Sequence, residues 1–136
     1  MSAYINKSKT DDWKTPSVLY HRYIDAGYYD PCPYQASFDG LSIEWKDKNF
    51  VNPPYSELKK WIIKAIEEAK KGKSVVLLIP SRTDTKAFEM LYRFGCVFRF
   101  ILGRLRFNDS APAPFPSVLV FLKGDGINEL QYEPRE

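Results

Sequence analysis

A chain of 136 residues with 44% hydrophobic and 15% aromatic residues can bury one substantial core, which excludes both a disordered tail and a multidomain enzyme. Lys and Arg number 20 against 17 Asp and Glu, and the formal charge of +3 is a mild bias toward polyanions. The cysteines Cys32 and Cys96 stand far apart and His21 is the single histidine, so no disulfide framework and no metal site is expected.

Residues 1–12 are polar and read as a flexible arm, with residues 13–136 as a single domain. The first residues lack the apolar run of a signal peptide, and no stretch approaches the ~20 apolar residues of a membrane span. A cytoplasmic protein without a membrane partner is the expectation. Thr15-Pro16 reads as an N-cap and first helical residue, opening a helix to about Ala26 that Gly27 stops. Tyr28 to Asp30 resembles a short strand whose exit is forced by Pro31 and Pro33, which places Asp30 at a strand's C-terminal end.

From Tyr34 to Lys48 the pattern is irregular, with Asp39-Gly40 as a turn and Trp45 as the large apolar anchor. Asn49 to Asn52 predicts a strand broken by two prolines. A helix then follows, capped by Ser56 and ended by Gly72, with Leu58, Trp61, Ile62, Ala65, Ile66 and Ala69 at helical spacing. Lys59, Lys60, Lys64, Lys70 and Lys71 form its solvated face. The apolar run Ser74 to Ile79 predicts a strand covered on both faces. Thr83 or Asp84 caps a helix to Phe94, and Cys96 to Leu102 is another strand. Arg104 to Phe107 and Ser117 to Leu122 predict an antiparallel pair, after which the tail from Lys123 is peripheral. The alternation argues for an α/β fold. Gly72-Lys73-Ser74 is no phosphate loop, because Glu67 stands where the first glycine is required and the run leads from helix to strand.

The strongest chemical signal is Asn52-Pro53-Pro54-Tyr55, at a strand's carboxyl end where open α/β sheets bind ligands. An exocyclic amine is a poor nucleophile because its lone pair is delocalised into the ring. An Asn carbonyl and the backbone carbonyl of the next proline can accept the amine's hydrogens, the prolines stiffen the turn, and Tyr55 can stack on the ring. The competing reading is a tight proline-rich loop, which the strand before and helix after disfavour.

Over about residues 11 to 122 the chain resembles the phage-type DNA N6-adenine methyltransferase family. The matching blocks are Asp11-Asp12-Trp13 with Thr15-Pro16, Asp39-Gly40-Leu41 with Trp45, and Phe50 to Tyr55. Pro80 to Thr85, Gly103-Arg104-Leu105 with Phe107, and Ala113 to Ser117 complete the set. The resemblance implies a reduced Rossmann-like sheet, mostly parallel with an antiparallel strand or hairpin near the C-terminus and helices on both faces. It implies an adenine-specific methyltransferase using S-adenosyl-L-methionine on double-stranded DNA, in the host cytoplasm if the chain is phage-encoded.

By the same resemblance Asn52, Pro53, Pro54 and Tyr55 are the catalytic loop. Thr15 and Pro16 hold the methionine end of the cofactor, Asp30, Pro31 and Cys32 face it, and Asp39 reaches its ribose, although Asp-Gly is more often only a turn. Arg82, Asp84, Arg104, Phe107, Phe115 and Ser117 are the expected substrate-binding residues, Arg82 toward a phosphate or the cofactor carboxylate and Phe107 or Phe115 toward a flipped base.

The sequence departs from the family pattern in one region. Asp30-Pro31-Cys32-Pro33 has no glycine, and only 22 residues separate Asp30 from Asn52, too few for the usual adenosine pocket. At least one strand-helix unit is missing. Trp45 and the 34–48 segment, or a second subunit in a homodimer, would complete the pocket, and weak cofactor binding with relaxed or short sequence specificity is expected. Two alternatives stay open: a catalytically inactive relative that binds nucleic acid or a partner protein, and a methylase of another amino group, cytosine N4 or glutamine amide.

Overall fold

The computed structural model describes residues 13–109 and 111–135. The expected arm at residues 1–12, including Asp11 and Asp12, lies outside them. In chain order the elements are α1 (Ser17–Ile24), β1 (Lys48–Val51), α2 (Leu58–Lys70), β2 (Ser74–Pro80), α3 (Lys86–Phe94), β3 (Cys96–Leu102), β4 (Ser117–Leu122) and β5 (Glu129–Pro134).

The strands form one five-stranded sheet in the order β1-β2-β4-β3-β5. The α/β class is as expected, but the sheet is mixed rather than mostly parallel. β1 pairs parallel with β2 and β3 with β5, whereas β4 lies between β2 and β3 and runs antiparallel to both. β4 is the expected antiparallel strand near the C-terminus, but its expected partner, Arg104 to Phe107, forms no strand. Residues 103–116 fold back over the sheet as a connection, held by Ala113 N–H donating to the Leu105 carbonyl at 2.8 Å. The segment from Lys123 is not peripheral, because β5 extends the sheet along β3 from Val97 to Leu102.

Period-2 alternation divides the sheet between two cores. Val75, Leu77, Ile79 and Phe98 pack with Trp61, Ile62 and Ala65 of α2 and Leu91 of α3. Val76, Leu78, Leu119 and Ile101 pack instead with Leu19 and Tyr23 of α1 and with Leu105, Phe107 and Phe115. Helices therefore cover both faces, and the run from Val75 to Ile79 is fully buried as its continuous apolarity predicts.

Three helix starts differ from the sequence reading. The N-cap of α1 is Pro16 rather than Thr15, and α2 begins after a 3-10 turn (Tyr55–Glu57) with Glu57 as its cap instead of Ser56. Thr85, not Thr83 or Asp84, caps α3, its Oγ1 accepting from Phe88 N–H at 3.2 Å. At all three the chain turns a residue or more beyond the first polar candidate, a choice that tertiary packing makes.

Between Asp30 and β1 the chain forms no helix or strand, as the short spacing requires. Trp45 anchors it from within the core: it is 2% exposed, stacks on Trp61 at 6.2 Å, and donates from Nε1 to the Gly40 carbonyl at 2.8 Å. That burial makes Trp45 core rather than a pocket wall. Gly40 passes so close to the Pro31 carbonyl that a Cβ would stand 1.9 Å from it, so only glycine fits there.

Glu68, buried on α2, is the other anchor. Its carboxylate accepts from Lys64 at 2.9 Å, Lys71 at 3.3 Å, Lys73 at 2.5 Å and the Trp45 N–H at 3.3 Å. Lys64 and Lys71 therefore belong to an ion cluster rather than to a merely solvated face.

Candidate active site

The ladders bring distant residues to one edge of the sheet. β1 and β2 run parallel, and Tyr29 bridges Asn49 in parallel, so Asp30, Asn52 and Ser81-Arg82 all leave the sheet on the same side. β4 runs the other way, and its first residue, Ser117, sits opposite Pro80 at that edge. This carboxyl edge is where open α/β sheets bind ligands.

Asn52 follows β1 directly and is 8% exposed. Its Nδ2 donates to the Trp13 carbonyl at 2.6 Å and to Thr15 Oγ1 at 3.1 Å. Its Oδ1 is buried and has no hydrogen-bond partner among the described residues. A buried acceptor left bare costs about 1–3 kcal/mol, so its persistence points to a group that arrives from outside. Pro53 and Pro54 are buried, and Glu57 N–H donates to the Pro54 carbonyl at 3.2 Å, closing the 3-10 turn that sets Tyr55 beside Asn52.

Tyr55 joins an aromatic cluster with Trp13, Phe107 and Phe115. Its ring stacks on Trp13 at 6.1 Å and 24° and meets Phe115 edge-on at 5.1 Å. Trp13 also contacts Phe107 at 5.8 Å and Phe115 at 6.0 Å. The Tyr55 hydroxyl is buried without a partner among the described residues, as is Ser117 Oγ. Burial pushes the phenol well above its ordinary range, against a smaller opposing pull from the Arg82 charge. The Tyr55 phenol is therefore held neutral, and its ring is one more packed surface of the aromatic cluster.

On the other side of Asn52 and Trp13 opens a cleft of about 360 Å³, whose wall includes Thr15, Tyr20, Asp30, Cys32 and Tyr34. That volume lies within the range of small-ligand sites, about 300–1,000 Å³. Asp30 Oδ1 accepts from Cys32 N–H at 2.8 Å. Burial, then the Asp30 charge and a hydrogen bond to its carboxylate, raise the pKa of Tyr20. The cleft thus carries the Asp30 carboxylate on its wall, with Asn52 at its border, an arrangement suited to a ligand with amino or cationic groups.

Of the residues expected at the cofactor, Thr15, Asp30 and Cys32 line this cleft, and Pro16 caps the helix beside it. Pro31 is buried behind it, its carbonyl against Gly40. Asp39 spends both oxygens on its own turn, accepting from Leu41 N–H at 3.0 Å and Ser42 Oγ at 2.9 Å. Among the expected substrate residues, Phe107 and Phe115 are buried in the aromatic cluster and Ser117 lies at the edge, while Arg82, Asp84 and Arg104 are exposed. The sequence reading missed Tyr20 and His21, which also line the cleft. Tyr20 is half-buried against the core of Leu19 and Tyr23 and His21 is exposed beside it, so helical spacing did not single them out. Trp13 was also missed as a contact between cleft and aromatic cluster.

No helix among the described residues is long and apolar enough to cross a membrane. No individual curated protein matches the chain at a significant level. A family model does match, across residues 2–118 and thus through the loop of Asn52 and the aromatic cluster, and with most of the chain covered the protein belongs to the DNA N-6-adenine-methyltransferase (Dam) family.

Proposed function

We propose that this chain uses S-adenosyl-L-methionine to methylate N6 of adenine in double-stranded DNA. The observation that carries the reading is the bare, buried Oδ1 of Asn52, standing between an aromatic cluster suited to a base and a cleft suited to a cofactor. When bound, the cofactor would supply a methyl group on a sulfonium: the amine lone pair would form the new bond, the carbon–sulfur pair would stay on sulfur as a neutral thioether, and one amine proton would leave to solvent. The protein's part is to make that lone pair available.

Asn52 Oδ1 and the Pro53 carbonyl accept the two amine hydrogens and draw the lone pair out of the ring, with no base of shifted pKa required. The ring of Tyr55 supports the base, with Phe107 and Phe115 behind it, so Trp13 must yield for a base to reach that stack. Asp30 and Cys32 hold the cofactor from the cleft wall, with Thr15 beside them and Pro16 and Pro31 shaping the backbone. Arg82, Arg104 and Arg106, all exposed, grip phosphates, while Asp84 and Ser117 border the DNA side. Contacts to phosphates position DNA without reading its bases, which favours relaxed or very short specificity. The homodimer expected from the short spacing has no support among the described residues.

Cofactor binding is tested by calorimetry with S-adenosylmethionine and S-adenosylhomocysteine; no heat at millimolar cofactor, with or without DNA, would overturn the reading. Transfer of tritiated methyl to DNA should yield N6-methyladenine. Label in protein alone, or in N4-methylcytosine, would exclude adenine as the acceptor. Asn52→Ala should lower turnover by about a hundredfold or more, the scale seen when one positioned polar group is removed from an active site.

A further inference from the structure

An asparagine amide can present either end to a substrate, and Asn52 serves as an acceptor only if its oxygen faces the amine. Two neighbours decide the matter. The Trp13 carbonyl, at 2.6 Å, can only accept, so the amide nitrogen must face it. Thr15 Oγ1, at 3.1 Å from the same nitrogen, occupies a second donor direction. One acceptor selects the end of the amide, and two acceptors fix its plane.

Thr15 is free for this task because the N-cap of α1 is Pro16, so the threonine hydroxyl is not spent on the helix. The residue is 8% exposed. Its place is set from outside by Lys14, whose N–H donates to Asn108 Oδ1 at 2.9 Å and whose carbonyl accepts from Asn108 N–H at 2.8 Å. Asn108 holds a left-handed backbone, φ 59°, which asparagine tolerates better than most residues. The segment 13–15 is therefore a strap pinned between the 107–109 turn and the end of β1.

We propose that Thr15 is a positioning residue that acts through Asn52: its hydroxyl holds the amide plane so that Oδ1 stays turned toward the acceptor amine. This rests on the function proposed above. It differs from a role in gripping the cofactor, which Thr15 could also perform from the cleft wall.

The test uses the full chain and the pair Thr15→Val, which keeps shape but removes the acceptor, and Thr15→Ser, which keeps the acceptor. Thr15→Val should lower kcat about tenfold, the scale of one lost hydrogen bond. The calorimetric Kd for S-adenosylmethionine should stay within about twofold. Thr15→Ser should restore most of the rate, and Thr15→Val should add nothing in an Asn52→Ala background. Independently of turnover, the Asn52 side-chain amide protons should exchange with water about tenfold faster in Thr15→Val than in wild type or Thr15→Ser by NMR. A cofactor Kd that weakens with kcat preserved would overturn the proposal in favour of a cofactor contact. Unchanged amide exchange, or a serine variant as slow as valine, would also overturn it. Wild-type protein that transfers no methyl would refute the proposed function, while the exchange measurement still decides whether Thr15 orients the amide.

Discussion

Replacing Glu68 by Gln should destabilise the protein by about 3 kcal/mol near neutral pH. The side chain is 1% exposed, and burial alone would push its carboxyl upward. The ammonium groups of Lys73, Lys64 and Lys71, with the Trp45 N–H, overcome that and hold it at about 2 against an ordinary value of 4.5. At about 1.4 kcal/mol per tenfold change in proton affinity, the difference is worth about 3 kcal/mol to the folded state. A carboxyl lowered on folding contributes fully above its unfolded pKa, and the contribution fades as pH falls from 4.5 toward 2. Urea unfolding of wild type and Glu68→Gln at about pH 7 and pH 3 should therefore show the gap between them narrowing by about 2 kcal/mol at the lower pH. A gap below about 1 kcal/mol at neutral pH, or one that does not change with pH, would refute the assignment of this cluster as a stabilising anchor. The cluster matters to the site because Trp45, tied to Glu68 and to the Lys73 ammonium, sits just ahead of β1, which leads into Asn52.

Tyr55→Phe should leave thermal stability unchanged or raise it by about 1 kcal/mol, since the hydroxyl is buried without a partner among the described residues and the stacking ring is kept; a clear loss on calorimetric melting would reveal a bond to that hydroxyl. Arg22→Ala breaks a paired contact in which Nη1 and Nη2 each lie 3.1 Å from a Glu133 oxygen. It should cost about 1 kcal/mol and speed hydrogen exchange across β5, and exchange unchanged there would show that the pair does not hold the strand. Arg104→Ala and Arg106→Ala should each lower by about one the slope of log DNA affinity against log salt, with little dependence on DNA sequence. An unchanged slope would remove them from the phosphate contacts.

The parts of this protein legible in its sequence are those decided over a few residues. Val75 to Ile79 could only be a buried strand, and the spacing of Trp61, Ile62 and Ala65 could only be an inward helix face. Asn52 to Tyr55 announced a stiffened loop at the sheet's carboxyl edge because two prolines after a strand restrict a backbone whatever surrounds it. Two misreadings share a cause. A threonine before a proline looks like a helix cap locally, and a row of lysines looks solvated, but Asn52 claims the hydroxyl of Thr15 and Glu68 claims Lys64 and Lys71.

The sequence by itself determined the family, the α/β class and the residue that presents an acceptor, since each rests on local pattern. Tertiary structure alone decided that β4 enters between β2 and β3, that Trp13 closes over Tyr55, and that the oxygen of Asn52 is the end left bare. The partners that fix that amide lie 37 and 39 residues away along the chain. Periodicity and propensity carry no information across such distances; only the folded chain brings donor and acceptor together.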